Sequence, residues 1–275
     1  MSEDLGRVAE ALREAEGLVV TAGAGMGVDS GLPDFRGNQG FWRAYPPYAK
    51  LGLGFSNVAN PRWFQEDPRL AWGFYGHRLE LYRRTVPHAG FRLLRQWGEN
   101  MRLGAFVFTS NVDGQFQRAG FDPERIYECH GAIDFLQCLA ECGVGIFPAD
   151  GVSVEVDEET FRAKEPLPSC PRCGSIARPN ILMFGDGGWD DTRADAQEVR
   201  LSRWLERARG AKLVVIECGA GTAIPSVRIF GERLVGNFPG ALLVRINPRE
   251  PNVPQGHVGI ASGALAALQA IEALR

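Results

Sequence analysis

The sequence predicts an α/β fold in which a mainly parallel β-sheet is covered by helices on both faces. Short runs rich in Val, Ile, Leu and Phe recur along the chain. They lack strict alternation, which is typical of strands buried on both faces. Longer helical patterns separate most of these runs, as right-handed crossovers between parallel strands require. The predicted strands are residues 18–21, 105–109, 125–127, 213–217 and 242–246.

The composition is that of an ordinary globular protein. Of 275 residues, 45% are hydrophobic and 23% are charged, which excludes a disordered or coiled-coil chain. The formal net charge of −3 gives no reason to expect nucleic-acid or membrane-surface binding. No apolar run reaches the roughly 18 residues of a membrane span. The acidic, amphipathic start differs from a signal peptide, so we expect a cytoplasmic protein.

The elements follow in a regular order. The N-terminal segment predicts a helix capped by Asp4, with Leu5, Val8 and Leu12 on one face. Further helical patterns cover residues 91–97 and 197–209.

Two regions interrupt this order. Residues 38–80 carry many aromatic residues, prolines and glycines and predict a helical insertion. Residues 131–177 hold two cysteine pairs and predict a small inserted module. The main domain is therefore expected to comprise residues 1–130 and 178–275.

A glycine-rich turn follows the first predicted strand. Gly23, Ala24 and Gly25 open it, and such glycines let backbone N–H groups approach a diphosphate at a helix N-terminus. A dehydrogenase fingerprint would have glycine where Val28 stands. The turn indicates a Rossmann-like connection, which is either a nucleotide site or only a tight strand-to-helix connection.

Polar residues follow two later strands. Asn111 and Asp113 come after one strand and His130 after the next. Open α/β sheets bind ligands at the carboxyl ends of their strands. A histidine there can serve as a general base near neutral pH, the alternative being a buried histidine satisfied by backbone. A dyad of His130 with Cys129 is not expected, because neighbours in an extended segment point to opposite sides.

The cysteines predict a metal site. Six cysteines without a secretory signal are not typical of a disulfide framework. Two residues separate Cys170 from Cys173, and three separate Cys138 from Cys142. Four thiolates would complete a tetrahedral structural zinc site. The alternative is a set of buried, reduced thiols.

In their order, these motifs resemble those of the sirtuins, the NAD-dependent protein deacylases. Residues 23–36 match the family signature Gly-Ala-Gly-Ile-Ser, two variable residues, then Ser-Gly-Ile-Pro-Asp-Phe-Arg, with Met26 and Gly27 replacing Ile and Ser. The resemblance extends from Leu18 to Asn247 and includes the cysteine pairs after a His-Gly dipeptide. It departs from the family at Ser110, where Gln is usual, and at Phe116, where His is usual.

The resemblance implies a set of functional residues. His130 would be the general base, and Asn111 and Asp113 would orient the nicotinamide ribose. Asp34, Phe35 and Arg36 would belong to a loop over the nicotinamide. NAD would be contacted by residues from five segments of the chain: Gly23, Ala24, Gly25, Asp34, Phe35, Arg36, Ser110, Asn111, Asp113, Gly219, Gly221 and Asn247.

The resemblance also implies where the substrate lies. Met183, Phe184 and Gly185 would pair with an extended acylated peptide by strand addition. Tyr75 and Arg78 are three residues apart and share one helix face. Sirtuins that prefer acidic acyl groups carry Tyr and Arg at this spacing. The alternative is an amphipathic helix in which the Tyr packs and the Arg is solvated.

The expected activity is NAD-dependent removal of acetyl or succinyl-type groups from lysine, yielding nicotinamide and O-acyl-ADP-ribose. Ser110, Phe116 and the unusual segment around Trp189 favour a second hypothesis, a mono-ADP-ribosyltransferase or NAD hydrolase. A third is an NAD-sensing module without turnover. The expected partner is an acylated protein or peptide, without nucleic acid or membrane.

Overall fold

The larger of two sheets is parallel throughout and has the strand order β3-β2-β1-β7-β8-β9. The computed structural model describes residues 2–33, 41–42, 44–50 and 52–275. The strands in chain order are β1 (Gly17–Ala22), β2 (Ala105–Thr109), β3 (Ile126–Glu128), β4 (Gly131–Cys138), β5 (Ile146–Pro148), β6 (Ala177–Ile181), β7 (Leu213–Cys218), β8 (Leu242–Ile246) and β9 (Val258–Ile260).

All five strands predicted for this sheet are present, and the predicted α/β class is confirmed. The short edge strand β9 was not predicted. Buried Val, Ile and Leu side chains of the central strands form a core on each face of the sheet, as expected for strands covered twice.

Helices cover both faces. Ser2–Glu14, Ala89–Glu99 and Ala264–Glu272 pack on one face, and Thr192–Arg207 and Ser226–Asn237 pack on the other. The predicted Asp4 cap is wrong, because the first helix already begins at Ser2 and Asp4 lies in its first turn. No described helix is long and apolar enough to cross a membrane.

The two insertions share a second core beside the large sheet. The first contributes the helices Pro46–Lys50, Phe55–Val58, Trp63–Glu66 and Pro68–Arg84. The second contributes β4 and β5 of an antiparallel sheet of order β5-β4-β6, whose third strand begins at the last residue of the predicted module. Their buried side chains form one cluster, and Trp72 Nε1 donates to the Ala177 carbonyl at 2.9 Å. The boundaries proposed from the sequence for the two domains stay a prediction.

Candidate active site and metal centre

Two glycine turns meet at the carboxyl edge of the large sheet. The Gly23 N–H donates to the Cys218 carbonyl at 3.0 Å, and the Gly25 N–H donates to the Gly219 carbonyl at 3.0 Å. Gly219 has φ +66°, and a Cβ there would lie 2.3 Å from the Gly25 carbonyl carbon. Only glycine permits this approach. The structure therefore brings together the turns predicted to hold the diphosphate, with Ala24 exposed between them.

The loop after β2 is tied to the first glycine turn. Asn111 Nδ2 donates to the Gly23 carbonyl at 3.0 Å, and Thr109 Oγ1 accepts from the Asn111 N–H at 3.0 Å. The Ser110 N–H donates to the Ala22 carbonyl at 3.2 Å. Asn111 and Ser110 thus lie beside the first glycine turn, and their contact with NAD stays a prediction.

Asp113 is a buried carboxyl group in the same loop. Its Oδ1 accepts from the Gln115 N–H at 3.0 Å, and its own carbonyl accepts from Arg118 at 2.7 Å. Burial raises the pKa of Asp113 to about 6, against the lowering effect of the Gln115 N–H and the Arg118 charge. The carboxyl group therefore titrates close to neutral pH.

His130 lies where the two sheets meet. Its carbonyl accepts from the Leu182 N–H at 3.0 Å, and its Nε2 lies 3.5 Å from Ser226 Oγ. Gly131 has φ +76°, and a Cβ there would lie 2.1 Å from the Asn180 carbonyl oxygen, which explains the His-Gly dipeptide.

Burial lowers the pKa of His130, and a hydrogen bond with the Ser110 backbone opposes this effect. The imidazole is consequently neutral at neutral pH and can accept a proton.

The Cys129 side chain does not point away from that of His130, as an extended segment would require. Residues 129 and 130 form a turn rather than an extended segment, and both border one cavity. Burial raises the pKa of Cys129 to about 12, so its thiol stays protonated. It is therefore not a nucleophile, although the physical reason differs from the one that the sequence offered.

His88 has a structural role at the start of the helix Ala89–Glu99. Its Nδ1 accepts from the Gly90 N–H at 3.0 Å, so its Nε2, 3.0 Å from the Met26 carbonyl, is the donor. His88 thereby connects the start of this helix to the segment that follows the first glycine turn.

The four paired cysteines form one cluster. Their Sγ atoms all lie within 4.8 Å of one another, with Cys138–Cys173 at 3.5 Å and Cys142–Cys170 at 3.6 Å. A zinc ion with Zn–S bonds of about 2.3 Å requires S–S separations of about 3.8 Å. The donor set fits tetrahedral zinc, and Cys142 belongs to it despite the wider gap. Because all four ligands are protein thiolates, this is a structural site.

A buried ion pair shapes the segment predicted to bind peptide. Arg178 donates to Asp186 through both terminal nitrogens, at 2.9 Å for Nη1 to Oδ1, and both side chains are almost fully buried. Asp186 Oδ2 also accepts from the Met183 N–H at 3.1 Å. Within this segment Met183 is buried, whereas Phe184 is 40% exposed. The sequence indicated this segment but not the positioning role of Asp186.

Arg78 is not solvated, so the alternative of an exposed arginine is wrong. It is 6% exposed, and its Nε and Nη2 donate to the Tyr82 hydroxyl at 2.9 Å and 2.6 Å. Tyr75 is buried and stacks on Phe64 with the ring centroids 5.8 Å apart. The Arg78 charge also acts to lower the pKa of Asp113, which indicates that it lies near the candidate site.

Asn247 and Gly221 lie on the loops after β8 and β7. Asn247 is completely buried: its Nδ2 donates to the Ala220 carbonyl at 2.7 Å, and its Oδ1 accepts from the Arg249 and Glu250 N–H groups at 3.0 Å and 3.1 Å. Its amide thus holds the two loops together. Gly221 is partly exposed beside them.

Comparison with known proteins identifies the family. The model of the Sir2 family matches residues 23–205. This chain belongs to the Sir2 family. Its relatives include an NAD-dependent protein deacylase of Aquifex aeolicus, 30% identical over 85% of this chain and 84% of the relative. Another, from Aeropyrum pernix, is 31% identical over 89% of this chain and 85% of the relative. A solved Sir2 homologue–NAD complex superposes with a TM-score of 0.72 at 27% identity, over 98% and 93% of the two chains.

The resemblance to the sirtuins is thereby confirmed. Asp34, Phe35 and Arg36, predicted to lie over the nicotinamide, fall outside the described residues. Sequence reasoning did not find Ser226 beside His130. These residues are 96 positions apart, and only the packing of the helix Ser226–Asn237 joins them.

Proposed function

We propose that this chain is an NAD-dependent protein deacylase that removes acyl groups from lysine side chains, yielding nicotinamide and O-acyl-ADP-ribose. The proposal depends on one observation: a partly buried, neutral His130 at the carboxyl edge of the sheet, next to the loop of Asn111 and Asp113. The names of the Sir2-family relatives support it.

Each group at this edge has a specific part in the reaction. NAD, when bound, supplies a ribose carbon from which nicotinamide departs as the acyl oxygen arrives. Gly23, Gly25 and Gly219 allow the backbone to approach the diphosphate. Asn111 and Asp113 orient the ribose, and His130 takes the proton of a ribose hydroxyl.

The acylated substrate is a lysine-containing peptide that lies along residues 182–185. Leu182 and Phe184 on this segment and Ile224 on the loop after β7 are all exposed apolar side chains. They would flank an extended peptide, whose backbone would pair with the segment by strand addition.

A direct test follows nicotinamide release by mass spectrometry, with NAD and peptides carrying a panel of lysine acyl groups. We expect release to depend on the acyl group and to fall at least about 100-fold in His130→Ala. His257→Ala is the matched control, because His257 accepts a hydrogen bond from the Leu243 N–H and would have no part in the chemistry. Absence of acyl-dependent release across the panel would contradict the proposal.

A mono-ADP-ribosyltransferase or NAD hydrolase would instead release nicotinamide without an acyl substrate and leave ADP-ribose free or attached to protein. The departure from the family at Phe116 gives this alternative little weight. Phe116 lies in the core against Phe91 and Phe121, with ring centroids 4.9 Å and 5.2 Å away. Its identity is therefore a matter of packing.

Arg78 favours acidic acyl groups as an additional substrate class. A buried guanidinium among tyrosines could pair with the carboxylate of a succinyl chain. We expect Arg78→Met to reduce turnover of succinyl-lysine selectively, while Arg84→Met, at an exposed position of the same helix, leaves it unchanged. Equal loss on acetyl-lysine would contradict this assignment.

We also propose a cytoplasmic location. All six cysteines are free of disulfides, as a reducing compartment would maintain them.

A further inference from the structure

A cavity of about 300 Å³ opens beside His130, on the face of the large sheet that carries the helices Thr192–Arg207 and Ser226–Asn237. Its volume corresponds to about ten water molecules at about 30 Å³ each. Leu182 and Ser226 border it together with His130. It therefore adjoins both the proposed base and the segment that we assign to the peptide.

The walls of this cavity are largely apolar and aromatic. Phe108 and Phe230 stack with their centroids 3.9 Å apart and their planes at 6°. The Tyr127 ring meets Phe108 edge-on at 5.2 Å. Leu201 and Leu205 of the helix Thr192–Arg207 complete the apolar surface. Such walls suit the hydrocarbon stem of a long side chain.

The charge in the cavity is negative. Among the described residues that line it, Glu198 is the sole carboxylate, and none is a lysine or an arginine. The Tyr127 hydroxyl lies 3.3 Å from Glu198 Oε2 and donates to it. Burial and, after it, the charges of Glu198 and of Asp195, one helical turn away, raise the pKa of Tyr127, so its hydroxyl stays protonated beside the Glu198 carboxylate.

From the apolar walls, the single lining carboxylate and the neighbouring peptide segment, we infer that this cavity is a specificity pocket for a basic side chain of the acylated peptide. Glu198 is its specificity-determining residue. The aromatic rings hold the stem of a lysine or arginine, and the carboxylate pairs with the cationic head. This inference rests on the proposed deacylase function, because it assigns a second anchor for the same peptide.

The test uses the full chain and acetyl-lysine peptides with either Arg or Gln at each of three positions on both sides of the acetyl-lysine. We expect one position at which Arg lowers KM about tenfold relative to Gln, with kcat unchanged. Glu198→Gln should reduce this preference to within about twofold, and Glu198→Lys should reverse it.

The matched controls are Glu206→Gln and Glu206→Lys. Glu206 lies on the same helix, pairs with Arg209 at 3.1 Å and does not line the cavity. Both controls should retain the preference for Arg. Absence of any such preference in the wild type, its persistence in Glu198→Gln, or its loss in the Glu206 variants would overturn the inference. The inference would also be overturned if the change in turnover caused by Glu198→Lys depended on which acyl group the lysine carries, and not on whether the flanking residue is Arg or Gln.

Binding of fluorescent acetyl-lysine peptides, measured by anisotropy without NAD, separates the two hypotheses. A Glu198-dependent preference for Arg without any turnover would refute the proposed activity and retain the pocket. Turnover that is indifferent to Arg and to Glu198 would refute the pocket and retain the activity.

Discussion

His130 combines two properties that a general base needs at neutral pH. It is buried enough to be uncharged, and its Nε2 lies near a hydroxyl group at the edge of a cavity. Sequence position alone gives only the residue type; the burial that keeps the ring neutral comes from two sheets meeting at this turn.

The activity should therefore persist into mildly acidic solution. The base acts when it is neutral, and burial lowers the pKa of His130, so the acid limb of kcat/KM should have its midpoint below about 6.5. The Asp113 carboxyl group, with a pKa of about 6, should be a second group whose protonation lowers kcat/KM in this pH range. Asp113→Asn should remove its contribution to the pH dependence. Steady-state rates between pH 5 and pH 8 would check this, and a midpoint above 6.5 would contradict it.

Asp113 illustrates a conflict between stability and function. Its pKa in the folded chain, about 6, exceeds the value of about 3.9 expected when unfolded. Its contribution to stability is therefore present below about pH 4 and is lost as the pH rises through 6.

Asp113→Asn should accordingly raise the free energy of unfolding at pH 7.5 by about 1–3 kcal/mol, while lowering activity. The gain should shrink towards zero as the pH approaches about 4. Urea unfolding at several pH values measures it. The exposed Asp150→Asn is the control, and a gain independent of pH would argue against a buried, titrating carboxyl group.

At the scale of elements, the segment after β6 owes its conformation to side chains of its neighbours. Asp186 accepts from the Arg178 guanidinium and from the Met183 and Gly188 N–H groups. Gln137 of β4 accepts from the Asp190 N–H at 3.1 Å and donates to the Gly188 carbonyl at 2.7 Å. These contacts fix residues 183–190 although they form neither helix nor strand.

Breaking this arrangement should be costly. Asp186→Ala leaves the buried Arg178 charge without its partner, so we expect a loss of about 3–5 kcal/mol in the free energy of unfolding and weaker peptide binding. Asp186→Glu, which keeps the carboxylate, should recover part of both. Glu155→Ala, which removes an exposed ion pair with Lys164, is the matched control and should unfold like the wild type.

At the scale of the whole molecule, the cysteine cluster brings together the end of β4 and the turn before β6 at one end of the antiparallel sheet. Cys138 ends β4, while Cys170 and Cys173 lie on the turn before β6. A metal there would link the two strands that frame the segment 182–185.

We therefore expect one equivalent of zinc per chain by elemental analysis, and none in Cys142→Ser. Loss of zinc should make residues 139–176 sensitive to proteolysis and weaken peptide binding, because the strands would no longer be fastened. Cys129→Ala should retain the metal, since Cys129 lies outside the cluster. Retention of zinc by Cys142→Ser would exclude the four-thiolate site.

The sequence was sufficient for features that depend on neighbouring residues. Apolar runs without alternation identified five strands of the large sheet, and the turn at Gly23 followed from the backbone approach that glycine permits. Gly219 came from the family resemblance. The zinc ligands followed from their paired spacing, and His130 from its position after a strand. Each of these signals is local, because it reflects backbone geometry or the burial of one short segment.

The tertiary structure alone decided how distant segments meet. The edge strand β9 is three residues long with an exposed glycine between its two buried residues, so it has no continuous apolar run by which to predict it. The pairing of Arg178 with Asp186, the burial of Arg78 and the approach of Ser226 to His130 depend on how helices pack on two sheets. The cavity with Glu198 likewise takes its walls from five segments. The number of residues between two such segments does not determine the distance between them in space, because the packing of the whole core determines that distance.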